Sequence, residues 1–417
     1  MNERDQLQPE STVDEPRAES PLFAGVFLGG FESSCHKLES GIRLDLLAST
    51  RHDVFADADY ARLSSVGITA CRDGVSWVSS ERARGEYDFS RFASMLAAAE
   101  KHDIDVIWEL MHFGWPDDVD PFAASFVDRF ARYVAAFARF YASVTDRAPF
   151  ITPINEMSFL AWAGGDVRCM NPFEAARGVE LKVAFVRATI AAIDEIRAVI
   201  PNARFVQPEP LINIHPPADN PKIWARVESD NLLQYQAWDM LTGRVWPALG
   251  GAPKYLDIVG VNFYSNNQFT PDGETIYRDD IRYKPFAKML LETYARYRRP
   301  MFLAETGAEG DARAPWLRYV VDQCIAAMRK GCELHGVTLY PIVNHPGWLD
   351  ERHCENGLWD YADGAGHRAI DTRYAAELGR QTPRLERARS AMLAAKSKKG
   401  QASETDNWPL DAAAEAE

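Results

Sequence analysis

The sequence predicts a single (β/α)8 barrel, an α/β fold in which eight parallel strands alternate with helices. Three observations lead to this prediction. Short apolar runs recur along the chain at intervals of roughly 35 to 55 residues, as expected of a repeating strand, loop and helix unit. The segments between the runs carry amphipathic helical stripes. The length of 417 residues fits one barrel with loop insertions.

Eight apolar runs are the predicted strands. Each run is short and nearly continuous, which is typical of parallel strands that are buried on both faces. In chain order the runs are FAGVFLGG (23–30), GITACRDG (67–74), IDVIWELM (104–111), PFITPIN (149–155), ARFVQPEP (203–210), YLDIVGVNFY (255–264), PMFLAET (300–306) and LHGVTLYPIV (334–343).

The predicted helices are clearest at residues 125–144 and 178–200, where apolar residues recur every three to four positions. Strands that alternate with such helices imply a parallel sheet that is covered on its outer side. An open, doubly wound sheet is the alternative fold, and it usually carries a glycine-rich phosphate-binding turn. Because FLGGFESS and YLDIVGVNF match neither GxGxxG nor GxxxxGK[ST], the closed barrel is favoured.

The predicted barrel domain covers residues 21–392. Residues 1–20 and 393–417 are rich in polar and small residues, so we expect disordered tails at both ends. Between the tails no linker or shift in composition indicates a second domain. The hydrophobic fraction of 47% and the charged fraction of 25% are typical of a globular protein.

The formal net charge of −14 argues against a nucleic-acid partner, because phosphate binding depends on Lys and Arg. No apolar run of about 18 residues is present and the first residues are polar, so we expect no membrane partner and a cytoplasmic location. The six cysteines have no CxxC or zinc-ligand spacing, so we expect mostly buried thiols. The sequence leaves the oligomeric state open.

Polar and aromatic residues follow the predicted strands. In a barrel the chemistry takes place at the carboxyl ends of the strands, where the loops converge. Carboxylates, amides, an imidazole and aromatic rings suit a neutral, hydroxyl-rich ligand better than a phosphate or a metal. The residues at these positions are Arg72, Trp77, His112, Trp115, Asn155, Glu156, Glu209, Asn262, Tyr264, Glu305, Tyr340, Asn344 and Trp348.

Two carboxylates, Glu156 and Glu305, each interrupt an apolar strand at its end. An ionised carboxylate is costly to bury unless it is paired, so each could form an ordinary salt bridge at the barrel rim. The alternative is a catalytic pair about 5 to 5.5 Å apart, in which one carboxylate is the nucleophile and the other the acid/base of a retaining glycosidase. Two such residues on opposite strands favour the catalytic interpretation.

Motifs across residues 25–363 resemble those of glycoside hydrolase family 1, the β-glucosidase family of (β/α)8-barrel retaining hydrolases. Each motif alone is weak, but all occur in order and on the expected strands. The similar segments are RDGVSW (72–77) to RFSISW, MHFGWP (111–116) to HWDLP, ITPINEM (151–157) to TFNEP, VGVNFY (259–264) to GINYY, FLAETG (302–307) to ITENG and NGLWDYAD (356–363) to FGLVYVDY.

This resemblance implies a retaining β-glycosidase with Glu156 as the acid/base and Glu305 as the nucleophile. It places Arg72 and Tyr264 beside the nucleophile and Asn155 at the sugar 2-hydroxyl. The implied substrate is a carbohydrate, and neither a cofactor nor a metal is implied. The implied substrate-binding residues are Arg72, His112, Asn155, Asn262, Tyr264, Tyr340 and Trp348.

The end of strand eight departs from the family pattern. The segment LYPIVNHPGW has Tyr340 where the family has a Trp, and Gly347 where a Glu grips the far hydroxyls of the sugar. The first-strand segment FESSCHKLE lacks the usual Gln, which makes Glu32 and His36 candidate sugar contacts. No basic phosphate-binding motif follows strand eight, so a 6-phospho-sugar is not favoured.

Three other functions are alternatives. A transglycosylase would use the same residues to transfer the sugar to an acceptor hydroxyl. A non-catalytic carbohydrate-binding barrel would more typically lack one of the two carboxylates. A metal-dependent barrel enzyme would need ligands, and the segment DERHC (350–354) brings His and Asp together without ligand spacing.

Overall fold

The predicted (β/α)8 barrel is confirmed by the computed structural model of the chain, which describes residues 20–217, 220–348 and 352–405. The eight parallel strands form one closed barrel in chain order, and β1 pairs with β8 to close it. The strands are β1 (Phe27–Gly30), β2 (Ala70–Gly74), β3 (Asp105–Met111), β4 (Phe150–Ile154), β5 (Arg204–Pro210), β6 (Ile258–Asn262), β7 (Met301–Thr306) and β8 (Leu334–Leu339).

Helices cover the outside of the barrel. The helices predicted at 125–144 and 178–200 are confirmed as α3 and α4 in this series: α1 (His52–Ser65), α2 (Ser90–Lys101), α3 (Ser125–Val144), α4 (Gly178–Val199), α5 (Gln236–Leu241), α6 (Phe286–Tyr297), α7 (Arg313–Arg329) and α8 (Thr372–Thr405). Shorter helices in the loops after the strands span Leu46–Ser49, Trp77–Ser80, Met157–Gly165 and Trp224–Leu232.

Within the described residues, three small two-stranded sheets lie outside the barrel. They pair Glu81–Ala83 with Glu86–Tyr87, Asn213–Ile214 with Gln268–Phe269, and His345–Pro346 with His353–Cys354. Single turns of 3-10 helix span Pro221–Ile223, Leu233–Tyr235, Pro247–Leu249, Pro253–Tyr255 and Gly310–Ala312.

The interior of the barrel is apolar near the amino ends of the strands. A separate buried cluster fills it, and two of its members are Ala70 of β2 and Ile107 of β3. Arg72 and Glu109 lie two residues further along the same strands, so they face the same interior. Polar groups therefore begin directly above the apolar layer, on the side where the strands end.

The C-terminal helix corrects one predicted boundary. We expected a disordered tail from residue 393, but α8 continues to Thr405. Lys396 of this helix forms an ion pair of 2.8 Å with Glu333. The segment is rich in Ala and Lys, which are good helix formers. Its lack of large apolar residues therefore did not indicate disorder. Residues 1–19 and 406–417 of the predicted tails lie outside the described residues.

Five of the six cysteines are buried free thiols, and Cys169 is exposed, which confirms the prediction of mostly buried thiols. In the described parts of the chain, no helix is long and apolar enough to cross a membrane.

A buried charge network links α1 to β2. His52 lies between two aspartates, with its Nε2 2.7 Å from Asp73 and its Nδ1 2.9 Å from Asp59. Arg368 also donates to Asp59, through Nε at 2.7 Å. Burial opposes the charged imidazolium, but Asp73 and Asp59 outweigh burial and raise the pKa of His52 to about 9. His52 is therefore charged at neutral pH.

We expect this network to make the free energy of unfolding depend on pH. The folded-state pKa of His52 lies above its ordinary value of 6.5, so its contribution is complete below that pH and is lost as the pH rises to about 9. The contribution is on the order of 3 kcal/mol, since one pKa unit corresponds to about 1.4 kcal/mol. Urea unfolding below, within and above this range measures it.

The matched variant is His52→Gln, which keeps a polar side chain but cannot carry the charge. It should be less stable than the wild type at acidic pH and should lose less stability as the pH rises. The same pH slope in both proteins would show that His52 does not carry this dependence.

Candidate active site

The predicted site residues lie at the carboxyl ends of the strands, above the apolar interior. Asn262 forms a separate hydrogen bond with Glu156, and the ring of Trp348 packs at the rim. Direct hydrogen bonds join the other six in one network: Arg72, His112, Asn155, Tyr264, Glu305 and Tyr340.

Three donors from different strands hold Glu305. Its Oε1 accepts from Arg72 Nη1 at 2.8 Å and from Asn155 Nδ2 at 3.3 Å. Its Oε2 accepts from the hydroxyl of Tyr264 at 2.9 Å. A cation, an amide and a hydroxyl thus orient both oxygens of one buried carboxylate.

A local irregularity of β7 aims Glu305 into the barrel. Leu303 pairs with Val261 of β6, whereas Glu305 pairs with Asn262, so the register shifts between the two pairs. Ala304 belongs to the interior cluster, and strict alternation would therefore turn Glu305 towards the helices. A β-bulge of this kind re-aims a side chain, and bulges are common beside active sites.

Glu156 follows β4 and precedes the Met157–Gly165 helix. Its backbone is left-handed, with φ 47° and ψ 58°, and its Oε1 accepts from Asn262 Nδ2 at 2.7 Å. Burial and the charge of Glu305 raise the pKa of Glu156 well above its ordinary value, and the bond from Asn262 opposes this shift only in part. The surroundings of Glu156 therefore favour its protonated form over its charged form.

Arg72 is the buried cation of the site. Besides Glu305, it donates to Asn155 Oδ1 through Nη2 at 2.7 Å and forms an ion pair with Glu109. The ring of Tyr340 lies 4.9 Å from its guanidinium carbon, a distance typical of a cation–π contact. One side chain from β2 thus contacts residues of β3 and β7 and the residue that follows β4.

Glu109 is a site residue that the sequence analysis missed, because it lies inside the apolar run of β3. Its Oε2 accepts from Ser33 Oγ at 2.8 Å and lies 2.8 Å from His112 Nδ1. Burial disfavours its charge, but Arg72 and His112 outweigh burial and lower the pKa of Glu109 to about 2. The signal that could have found it is its position, two residues before the strand end and on the interior face.

Asn155 connects Glu305 to His112. Because Asn155 Oδ1 accepts from Arg72, its Nδ2 is the atom that faces Glu305 and lies 3.0 Å from His112 Nε2. Glu32 Oε1 lies 3.6 Å from His112 Nε2. Burial lowers the pKa of His112, but the carboxylates of Glu109 and Glu32 outweigh burial and raise it.

The segment after β8 forms an aromatic rim. The ring centroid of Trp348 lies 5.5 Å from that of Phe113 and 6.2 Å from that of Phe159. Its carbonyl oxygen lies 3.3 Å from His36 Nε2. Glu32 and His36, the two candidate sugar contacts from the first strand, are therefore both buried beside residues of the site.

Other residues at the predicted strand ends do not join the network. Trp77 and Trp115 are buried in the core between the barrel and the helices, and Trp77 donates to Glu81 at 2.7 Å. Asn344 donates to Asp360 at 2.9 Å and accepts from a backbone amide. The polar groups of Trp77 and Asn344 are thus satisfied within the scaffold, which the sequence positions alone do not reveal.

Among the residues that the structure describes, no group of three or more His, Cys, Asp or Glu side chains is arranged to hold a metal ion. Asp350 and Glu351 of the DERHC segment lie outside the described residues.

No protein-family model matches the sequence, and no curated protein matches it. Solved structures match the fold. A family 1 β-glucosidase from Thermotoga maritima has a TM-score of 0.69 and 14% identity, covering 87% of this chain and 98% of that chain. The AHE enzyme from Alicyclobacillus herbarius has the same TM-score and identity, covering 86% and 98%.

A third match is the Thermotoga maritima β-glucosidase in complex with deoxynojirimycin, with a TM-score of 0.70 and 13% identity, covering 86% of this chain and 97% of that chain. At these identities the matches establish the fold. The resemblance to family 1 is therefore confirmed for the architecture of the barrel.

We expect Arg72→Met to destabilise the protein by about 3 to 5 kcal/mol, because it leaves Glu109 and Glu305 as buried carboxylates without their cation. Urea unfolding at neutral pH measures the loss. Adding Glu109→Gln to this variant should recover part of the stability, since one of the uncompensated charges is then removed.

The matched control is Arg373→Met. Arg373 also pairs with a carboxylate, Asp311, but both side chains are more than four-fifths exposed, so the free energy of unfolding should hardly change. An equal loss in both variants would contradict a special role for the buried cation.

Proposed function

We propose that this chain is a retaining β-glycosidase, which hydrolyses the O-glycosidic bond of β-glycosides through a covalent glycosyl-enzyme. One observation carries the proposal: two buried glutamates at the ends of β4 and β7 have opposite surroundings. Glu305 accepts hydrogen bonds from a cation, an amide and a hydroxyl. Glu156 accepts from an amide, and burial together with the nearby carboxylate of Glu305 raises its pKa, which favours its protonated form. Retaining hydrolysis needs one nucleophile and one acid.

In the first step a carboxylate oxygen of Glu305 attacks the anomeric carbon. The bond from that carbon to the leaving oxygen breaks, and Glu156 donates its proton to that oxygen. The aglycone leaves as an alcohol, and the sugar remains as an ester of Glu305. In this proposal Arg72 and Tyr264 orient the attacking carboxylate, and Asn155 contacts the 2-hydroxyl of the sugar.

In the second step Glu156 acts as a base. Once Glu305 is an ester it carries no charge, so one of the causes that raise the pKa of Glu156 is gone. Glu156 can then take a proton from water as the water oxygen attacks the anomeric carbon and the ester bond breaks. The products are the free sugar with retained configuration, the carboxylate of Glu305 and protonated Glu156.

We expect Glu305→Gly to be nearly inactive on dinitrophenyl β-glycosides, because the nucleophile is missing. Added azide should restore turnover and give the α-glycosyl azide, since the small anion attacks from the side that the carboxylate occupied. Absorbance assays and proton NMR of the product measure both effects. Glu355→Gly, which removes an exposed glutamate, should keep its activity and gain nothing from azide. Turnover by Glu305→Gly without azide at the wild-type rate would contradict the proposal.

Glu156→Ala should depend strongly on the leaving group. We expect kcat/KM to fall by about 10²- to 10⁴-fold for alkyl β-glycosides, which need a general acid, and far less for dinitrophenyl glycosides. The alkaline limb of the pH profile should disappear, and azide should give the β-glycosyl azide. An equal loss for both classes of leaving group would rule out Glu156 as the acid.

A further inference from the structure

Glu209 is a buried carboxylate that the proposed reaction does not use. It lies in β5, next to the end of β4, and its side chain is fully buried. An acid in such a position needs a reason, because burial of a carboxylate is costly unless it is paired or hydrogen-bonded.

The backbone of β5 and the side chain of Glu209 both form hydrogen bonds with the turn that contains Glu156. The carbonyl oxygen of Pro208 accepts from the backbone N–H of Glu156 at 3.2 Å. The carboxylate of Glu209 accepts from the backbone N–H of Ser158, with its two oxygens 3.2 and 3.0 Å away. One bond therefore lies at the left-handed residue and the other two residues after it.

These hydrogen bonds matter because Glu156 has a left-handed backbone but is not a glycine. A left-handed backbone costs an L-residue free energy and persists only where neighbouring contacts enforce it. The first N–H groups of a helix also lack partners within the helix. Glu209 supplies such a partner to the Met157–Gly165 helix and so restrains the turn that presents the side chain of Glu156.

A plain salt bridge with Lys182 of α4 is the alternative explanation for Glu209. Lys182 is buried, but its Nζ donates to Gln236 at 2.9 Å, and in the described structure no hydrogen bond joins it to Glu209. The charges still interact: burial raises the pKa of Glu209 to about 7, and Lys182 opposes this shift. Glu209 is therefore negatively charged on the alkaline side of this value. The oxygens of Glu209 are thus bonded to the helix rather than to the lysine.

The charge of Glu209 also acts on Glu156. After burial and Glu305, it is a further cause that raises the pKa of Glu156, while the bond from Asn262 and the charge of Arg72 oppose the shift. The charged groups around Glu156 and Glu209 are Arg72 of β2, Glu305 of β7 and Lys182 of α4. Of the two carboxylates that raise the pKa of Glu156, Glu209 is the one that also contacts the Met157–Gly165 helix.

We propose that Glu209 is a positioning residue for Glu156: its carboxylate restrains the first turn of the Met157–Gly165 helix, and its negative charge helps Glu156 keep its proton until the leaving group departs. The catalytic part of this inference rests on the proposed glycosidase function.

Two variants of the full chain separate the two roles. Glu209→Gln keeps the size of the side chain and removes its charge. The alkaline limb of the kcat/KM profile should therefore move to lower pH by roughly half a pH unit or more, which is about a threefold loss of kcat/KM at a fixed pH on that limb. Glu209→Asp keeps the charge but withdraws it from Ser158, so kcat/KM should fall about tenfold for alkyl glycosides and little for dinitrophenyl glycosides.

The control is Asp166→Asn at the other end of the same helix. Asp166 accepts from the backbone N–H of Gly178 at 2.7 Å and also acts on Lys182, but it does not contact the first turn. Its pH profile and leaving-group dependence should match those of the wild type. Thermal unfolding of all three variants identifies any that fail to fold, and either Glu209 variant alone tests one role.

A second measurement does not depend on activity. Carbon-13 NMR of protein labelled at the glutamate carboxyl carbon follows the titration of Glu156, which is assigned by its absence in Glu156→Gln. The titration should move to lower pH in Glu209→Gln. If neither this titration nor the two kinetic profiles change, the inference about Glu209 is overturned while the glycosidase function stands. If the wild type hydrolyses no glycoside, the function fails, and the NMR titration still decides whether Glu209 acts on Glu156.

Discussion

The buried guanidinium of Arg72 organises the candidate site. It contacts Glu109 of β3, Asn155 at the end of β4 and Glu305 of β7, so a single side chain of β2 connects strands across the barrel. Its positive charge offsets part of the cost of burying the carboxylates of Glu109 and Glu305. The same contacts set the orientation of Asn155, which in turn determines which of its atoms faces Glu305 and His112.

The two central glutamates differ in their surroundings rather than in their chemistry. Glu305 lies beside the cation, whereas Glu156 lies beside an amide and two carboxylates, Glu305 and Glu209. These surroundings favour a proton on Glu156, where the proposed reaction needs it first. Because part of this preference comes from the charge of Glu305, forming an ester at Glu305 would weaken it and prepare Glu156 to act as a base.

Sequence patterns predicted the barrel and both glutamates because a charged residue that ends an apolar run is visible without coordinates. Glu109 was not predicted, because it lies inside the apolar run of β3 and its cation, Arg72, comes from another strand. The orientation of Glu305 was equally inaccessible, because the register shift in β7 arises from pairing with β6. The predicted start of the C-terminal tail at residue 393 was wrong for a different reason. A helix that packs along the barrel but has few large apolar residues looks like a disordered tail in the sequence.

The charges of the described site suit a neutral sugar. Arg72 and His112 already face carboxylates, and Glu32 adds a further negative charge beside His112. An anionic glycone would need another cation, and Gly347 after β8 has no side chain to offer one. A hydroxyl group can donate to a carboxylate and accept from an amide at the same time. We therefore propose a neutral, hydroxyl-rich ring as the ligand, since it brings no further charge into this buried site.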